Sequence, residues 1–233
     1  MGRKYKSRRG LKYTSGFLVL ALLVAAGWAW WHMSNWQPDQ AEFPAQGALI
    51  GETDGAVDFK ALKATGADFV YLEASDGKDL RDRNFATNFA DATGAGLQTG
   101  ALHNFDPCVA AELQSANFAT VVPRDGALLP PAIALERTAQ SCEERVSAAG
   151  LESELMTFLN QVEMHVGKAA ILKISHEFED EYGLSARIGR KLWLSRERFK
   201  PDYGKRPWAI WTANTYLRNV ASEEPVRWLV LQP

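Results

Sequence analysis

Eight short apolar segments, most of them separated by stretches with helical periodicity, are the feature that most limits what this sequence can fold into. They comprise residues 48–50, 68–72, 98–103, 132–135, 170–175, 192–194, 208–212 and 228–231. The clearest intervening helix is residues 151–166, whose apolar side chains form one stripe at helical spacing. Such alternation predicts a parallel sheet. Because barrels of eight such units usually need about 250 residues, we predict an α/β fold, an irregular parallel β/α (TIM-like) barrel with some short or missing helices.

A long apolar run precedes this domain. Residues 1–33 carry six Lys and Arg side chains and no Asp or Glu, and the apolar run follows the last of these basic residues. The run is close to the length of about 20 residues that crosses a bilayer. A cleaved signal peptide is one interpretation, with a weak small-residue site at residues 25–27. We favour an uncleaved signal anchor, because the run is followed by tryptophans that suit the membrane interface, namely Trp28, Trp30, Trp31 and Trp36.

The anchor interpretation sets the expected domain organisation and location. Residues 1–12 are a basic cytoplasmic flank, residues 13–33 the transmembrane helix, residues 34–46 a linker with two prolines, and residues 47–233 the barrel domain. Basic flanks remain in the cytoplasm. We therefore expect a single-pass protein of a bacterial inner membrane, with its barrel in the periplasm.

Charge and cysteine content limit the partners of this barrel. The chain has a net charge of −2, but without the six N-terminal basic residues 20 basic and 28 acidic residues remain, a net charge of −8. Such acidity is unsuited to nucleic acid, whose phosphates favour clustered Lys and Arg. The histidines and cysteines lack metal-ligand spacing, and no phosphate- or dinucleotide-binding motif is present, so we expect no metal and no cofactor. In an exported domain Cys108 and Cys142 are expected to form a disulfide, the alternative being two separate thiols.

Polar side chains, many of them carboxylates, follow the predicted strands. In β/α barrels the chemistry lies at the C-terminal ends of the strands. There the sequence places Glu52, Asp54, Glu73, Ser75, Asp76, His103, Asn104, Glu136, Ser175 and His176. Carboxylates at a barrel mouth are typical of enzymes that act on carbohydrates.

Several motifs in order along the chain carry a resemblance to a known family. They lie at residues 57–59, 67–77, 82, 85–89, 95–97, 100–105, 129–136 and 207–211. Together they resemble glycoside hydrolase family 25, the lysozymes (muramidases) of bacteria and phages, which cut peptidoglycan glycan strands and use an irregular β/α barrel. The resemblance implies hydrolysis of the β-1,4 bond between N-acetylmuramic acid and N-acetylglucosamine, with Glu136 as general acid. The candidate substrate-binding residues are Glu73, Asp76, His103, Trp208 and Trp211, although His103 and both tryptophans also suit a structural place in the core.

The sequence departs from the family at three acidic positions. Leu49, Ala134 and Arg227 stand there, so Glu136 is the one acid kept of four. Because residues i and i+2 of a strand share a face, the family's Asp-x-Glu places two carboxyls in one mouth, where one raises the pKa of the other. Here Glu73 is the preferred substitute for the lost partner, with Glu52 and Asp54 as alternatives. Two functions stay open: an anchored muramidase of weak or no activity (a pseudoenzyme), and a non-catalytic module that binds peptidoglycan or an unidentified protein partner.

Overall fold

The computed structural model describes residues 8–233, with side chains from residue 16 onward. Residues 1–7 of the expected basic flank lie outside the described residues. The chain divides into two compact units, with the boundary between Trp36 and Gln37.

The first unit contains one long helix, α1 (Arg8–Ser34). Its segment Gly16–Ser34 has 19 residues and a mean hydropathy of 1.6. At about 1.5 Å per residue this segment is about 28 Å long, close to the thickness of a hydrocarbon core. By length and composition, α1 is therefore a candidate membrane span, as the sequence predicts.

The second unit is a closed eight-stranded barrel, which confirms the predicted fold class. The described residues form nine strands, β1 (Gln46–Ile50), β2 (Phe69–Asp76), β3 (Leu80–Arg81), β4 (Gln98–Asn104), β5 (Ala132–Leu135), β6 (Ile171–Ile174), β7 (Lys191–Ser195), β8 (Trp208–Leu217) and β9 (Val226–Leu231). The strand order around the barrel is β1-β2-β4-β5-β6-β7-β8-β9, and β9 pairs with β1 to close it. The short β3 forms an antiparallel hairpin on the end of β2.

One barrel strand runs against the others. Strand β9 is antiparallel to both β8 and β1, whereas all other neighbouring strands of the barrel are parallel. The connection from β8 to β9 covers only residues 218–225. A parallel crossover needs a dozen or more residues, so this short connection can only return the chain in the opposite direction.

Helices cover part of the barrel. They are α2 (Phe59–Ala64), α3 (Phe85–Gly94), α4 (Ala111–Val121), α5 (Ala148–Val166) and α6 (His176–Tyr182). The predicted helix at residues 151–166 is confirmed as α5, whose apolar stripe is buried in the layer between helices and strands. Ser147 caps its first turn through Gly150 N, and Gly167 ends it with a left-handed backbone, φ 77°. No helix joins β7 to β8, in line with the expected missing helices.

A second apolar cluster fills the barrel interior. Its buried members are Leu49, Phe69, Tyr71, Leu102, Ala132, Ala134, Ile171, Trp193, Ile210 and Leu229. Alternate residues of a strand share a face, so the next inward positions towards the C-terminal ends of the strands line the barrel mouth. The side chains of the mouth pack on this apolar interior cluster.

The segment expected to be a linker makes contacts with the barrel. Phe43 is buried and its ring lies about 6 Å from those of Trp208 and Trp211, at 6.1 and 5.8 Å between centroids. Gln46 accepts a hydrogen bond from Trp228 Nε1 and donates to the carbonyls of Pro38 and Phe43. Residues 37–46 therefore belong structurally to the second unit.

Candidate active site

Two adjoining cavities form the cleft at the barrel mouth. One, of about 290 Å³, is lined by Glu73, Asp76, Asn104, Phe105, Ala134, Glu136 and Arg137. The other, of about 370 Å³, is lined by Glu52, Thr53, Glu73, Ser75, Asp76, Leu80, Arg81, Asp82, Arg83 and Asn104. Because the two share Glu73, Asp76 and Asn104, they are neighbouring parts of one cleft. A larger cavity of about 670 Å³, between the loop after β5 and α6, contains none of the predicted catalytic or substrate-binding residues.

Arg227 crosses the mouth and holds two carboxylates. Its Nη2 donates to Asp54 Oδ2 at 2.7 Å, and its Nη1 to Glu73 Oε1 at 2.5 Å. Burial opposes the charge of Arg227, but the carboxylates of Glu73 and Asp54 outweigh burial and raise its pKa. Gly51 makes room for this arrangement, since a Cβ there would come within 2.5 Å of Glu73 Oε2. Glu73 is thus at the mouth as predicted, but as the partner of a guanidinium.

Lys173 holds a third carboxylate of the mouth, that of Glu136. It occupies an inward position of β6, directly beside Ala134 of β5, and its Nζ donates to Glu136 Oε1. The side chain is buried and lies 6.0 Å from the centre of the Trp193 ring. Burial lowers the pKa of Lys173 to about 8; the charge of Arg227 acts in the same direction, and that of Glu73 opposes it. Sequence reasoning missed Lys173, although a lysine inside the apolar run 170–175 was a signal that could have found it.

Arg137 organises the rim of the cleft. It pairs with Asp76, donates to the carbonyl of Asn104 at 3.3 Å and lies 3.9 Å from Asp106. Beside it a disulfide joins Cys108 to Cys142 across loops that follow β4 and β5, with Cα atoms 5.3 Å apart. Asp76 is therefore at the cleft, within a charged rim.

His103 is away from the cleft, in the layer between barrel and helices. It is fully buried, and its ring contacts Phe118 of α4 and Phe158 of α5. Nδ1 lies 2.9 Å from Ser75 Oγ, and Nε2 lies 3.2 Å from Gln114 Oε1. The Gln114 amide nitrogen donates to two carbonyls, so Oε1 accepts from His103 Nε2–H, and Nδ1 accepts from the Ser75 hydroxyl. Burial lowers the pKa of His103 to about 4, and this neutral histidine fits the structural interpretation.

Trp208 and Trp211 are on the outer face of β8. Both rings pack against Phe43, while Ile210 points from the same strand into the barrel. The Trp211 indole donates to the carbonyl of Arg196 at 2.8 Å. Residues three apart on a regular strand point to opposite faces, but a bulge in the pairing of β7 with β8 alters the alternation along β8 and puts both tryptophans on one face. In the structure both are packing residues.

Leu49, Ala134 and Arg227 occupy the three positions at which the family resemblance predicts acids. Leu49 and Ala134 are each 1% exposed, and both belong to the interior cluster. Leu49 is paired with Arg227 across β1 and β9, and Ala134 with Lys173 across β5 and β6. Glycoside hydrolysis uses two carboxyl groups that flank the bond. In the described mouth, Glu73 and Glu136 both accept hydrogen bonds from cationic side chains.

The profile of a known protein family matches most of the chain. The sequence profile of Glycosyl hydrolases family 25 matches residues 50–220. Among curated proteins, Lysozyme M1 of Streptomyces globisporus is 27% identical over 73 residues, which cover 31% of this chain and 25% of that protein. The uncharacterized protein YegX of Escherichia coli is 26% identical over 145 residues, 61% of this chain and 51% of YegX. The matched part thus spans a quarter to a half of these relatives.

Solved structures share the fold over most of the chain. A family 25 glycosyl hydrolase from Bacillus anthracis has a TM-score of 0.77 at 24% identity, covering 87% of this chain and 94% of that one. A bacterial lysozyme from Streptomyces coelicolor has a TM-score of 0.70 at 18% identity, covering 81% and 92%. A family GH25 lysozyme from Aspergillus fumigatus has a TM-score of 0.68 at 20% identity, covering 81% and 94%. At these identities the likeness shows a common barrel architecture.

Proposed function

This chain belongs to glycosyl hydrolases family 25, and we propose that it is a membrane-anchored member whose barrel mouth engages peptidoglycan glycan strands. The family and its lysozyme-like fold support a function of the peptidoglycan-hydrolase type. The finer proposal is that the mouth holds the glycan and cuts it weakly or not at all.

The pairing of Glu136 and Glu73 with cationic side chains is the observation that carries this proposal. Glu136, the residue expected to act as general acid, accepts a hydrogen bond from Lys173. Glu73, the best-placed substitute for the lost second acid, accepts one from Arg227. General acid catalysis alone contributes about 10² to 10⁴ in rate, whereas enzymes reach about 10⁶ or more by combining effects. A mouth whose carboxylates are occupied in this way is expected to bind sugars better than it cleaves them.

Anchoring through α1 is the second part of the proposal. The apolar segment Gly16–Ser34 is long enough to cross a bilayer, and the basic residues before it favour a cytoplasmic N-terminus. The barrel would then be exported to the periplasm of a bacterial cell, where glycan strands are its substrate or ligand. The intact mass of the purified chain tests this part: a mass that starts at Met1 supports an anchor, and one that starts near residue 28 would indicate a cleaved signal peptide.

Sedimentation with purified sacculi tests the glycan part. The full chain in detergent micelles should sediment with insoluble peptidoglycan and release few muropeptides. Glu136→Gln should weaken sedimentation, while Glu112→Gln, on the exposed side of α4, should leave it unchanged.

Two results would contradict the proposal in different ways. Failure of the full chain to sediment would remove the glycan as ligand and leave a protein partner as the alternative. Release of muropeptides at a lysozyme-like rate that disappears in Glu136→Gln would show that the anchored domain is a muramidase.

A further inference from the structure

We propose that Lys173 is the positioning residue of the mouth: it fixes Glu136 as a hydrogen-bond acceptor for the hydroxyl groups of a bound sugar. This inference rests on the proposed function, since it assigns the residue that makes the cleft a binding site for glycan.

The two side chains of this pair differ in their access to the cleft. The Lys173 side chain is 11% exposed and the Glu136 side chain 48% exposed. The ammonium therefore lies beneath the surface, and the carboxylate projects above it into the cavity of about 290 Å³. One carboxylate oxygen is held from below, and the exposed part of the same carboxylate faces the space that a sugar ring would occupy.

The neighbouring strand explains why Lys173 can reach this place. Ala134 lies directly beside Lys173 in the register of β5 and β6, and it has only a methyl group. Glu136 is two residues further along the chain and so lies on the same face as Ala134. The lysine chain can extend over the small Ala134 side chain to Glu136, whereas a carboxylate at position 134 would compete for the same ammonium.

The chemistry of the pair favours accepting over donating. A buried ammonium needs a nearby counter-charge, and Glu136 is the carboxylate in contact with Lys173 Nζ. Hydrogen bonds in which the acceptor is ionised are stronger than neutral ones, so a fixed carboxylate is a good acceptor for sugar hydroxyls. A general acid has to give a proton to the leaving oxygen, while this carboxylate receives a hydrogen bond from Nζ.

A double-mutant cycle in the full-length chain tests the inference. The probe is a soluble tetrasaccharide of alternating N-acetylglucosamine and N-acetylmuramic acid, with binding measured by calorimetry in detergent micelles. Lys173→Met and Glu136→Gln should each weaken binding about tenfold, and the double variant also about tenfold, because residues that act as one unit are not additive. Lys173→Arg should retain affinity within about threefold, because it keeps a cation beside Glu136. Lys191→Met, an exposed lysine at the start of β7, is the matched control and should change nothing.

The outcomes separate this inference from the function on which it rests. A wild-type chain that does not bind the tetrasaccharide would overturn the proposed function. If wild type binds the tetrasaccharide, two results would overturn the role of Lys173 and leave the proposed function standing. One is a loss of affinity of about a hundredfold in the double variant, and the other is no loss of affinity in Lys173→Met.

A readout without ligand guards against misfolded variants. In spectra of chain labelled at lysine Cε and Nζ, Glu136→Gln should shift the titration of Lys173 to lower pH than in wild type, because it removes the carboxylate that contacts Nζ. An unchanged lysine titration would show that Glu136 does not hold Lys173, and would overturn the inference.

Discussion

Replacing Arg227 by methionine removes the guanidinium that joins three parts of the barrel mouth. Arg227 extends from β9 to Asp54, in the turn after β1, and to Glu73 of β2. Methionine keeps much of the aliphatic volume, so the main change is the loss of charge and hydrogen bonds. The two carboxylates would then face each other without a cation between them.

The burial of these groups sets the size of the effect. The side chains of Arg227, Asp54 and Glu73 are 25%, 10% and 26% exposed. Breaking a fully buried ion pair costs about 3–5 kcal/mol, and partial exposure places this site at the low end, about 3 kcal/mol. For a domain of this size 1 kcal/mol corresponds to about 2–4 °C in melting temperature. We therefore expect Arg227→Met to melt about 6–12 °C below wild type.

Thermal unfolding of the full chain in micelles, followed by near-ultraviolet circular dichroism, measures this difference. Arg83→Met is the matched control, because its ion pair with Glu52 is at the surface, with the arginine side chain 86% exposed. Exposed pairs contribute about 0–1 kcal/mol, so this control should melt within about 3 °C of wild type. If Arg227→Met melts no lower than Arg83→Met, water already screens Asp54 and Glu73 and the reasoning from burial is wrong.

Three further predictions concern groups outside the mouth. The pKa of His103 is about 4 in the folded protein, against an ordinary value of 6.5. About 3 kcal/mol of stability that is present above pH 6.5 should therefore be lost as the pH falls from 6.5 to 4. Urea unfolding at pH 7 and at pH 4.5 measures this loss, which should be smaller in His103→Gln. The Cys108–Cys142 disulfide closes a loop with a sequence separation of 34, so the double alanine variant should be about 3–4 kcal/mol less stable, and a reductant that abolishes the wild-type advantage checks the cause. Gly167→Ala, at φ 77°, should cost about 1 kcal/mol, whereas Gly189→Ala, which has open space and no positive φ, should cost nothing; equal melting temperatures would refute the backbone argument.

Much of the fold could be predicted because its signals are local. The eight apolar segments correspond to the eight barrel strands, and the apolar stripe of residues 151–166 is the buried face of α5. The direction of β9 was not predicted, because the polarity of a strand depends on its neighbours and on the length of the connection. The packing of residues 37–46 was also missed, since two prolines indicate irregular backbone and do not show what it contacts.

The candidate site was predicted less completely. Strand ends placed Glu73, Asp76 and Glu136 at the mouth, and the structure has all three at the cleft. His103 lies near the end of β4, but its side chain points into the helix layer, where Phe158 and Gln114 contact it. A shift by one position along a strand reverses the face, so a sequence pattern read without the register is a weak guide at strand ends.

The sequence alone determined the barrel, the apolar N-terminal helix and the absence of acids at positions 49, 134 and 227, because periodicity and residue identity are properties of the chain. Which charges meet depends on the three-dimensional fold. Arg227 pairs with Glu73 and Asp54, which lie 154 and 173 residues earlier, and Lys173 meets Glu136 across two adjacent strands. The physical reason is closure of the barrel, which brings the ends of distant strands to one mouth where buried charges need partners.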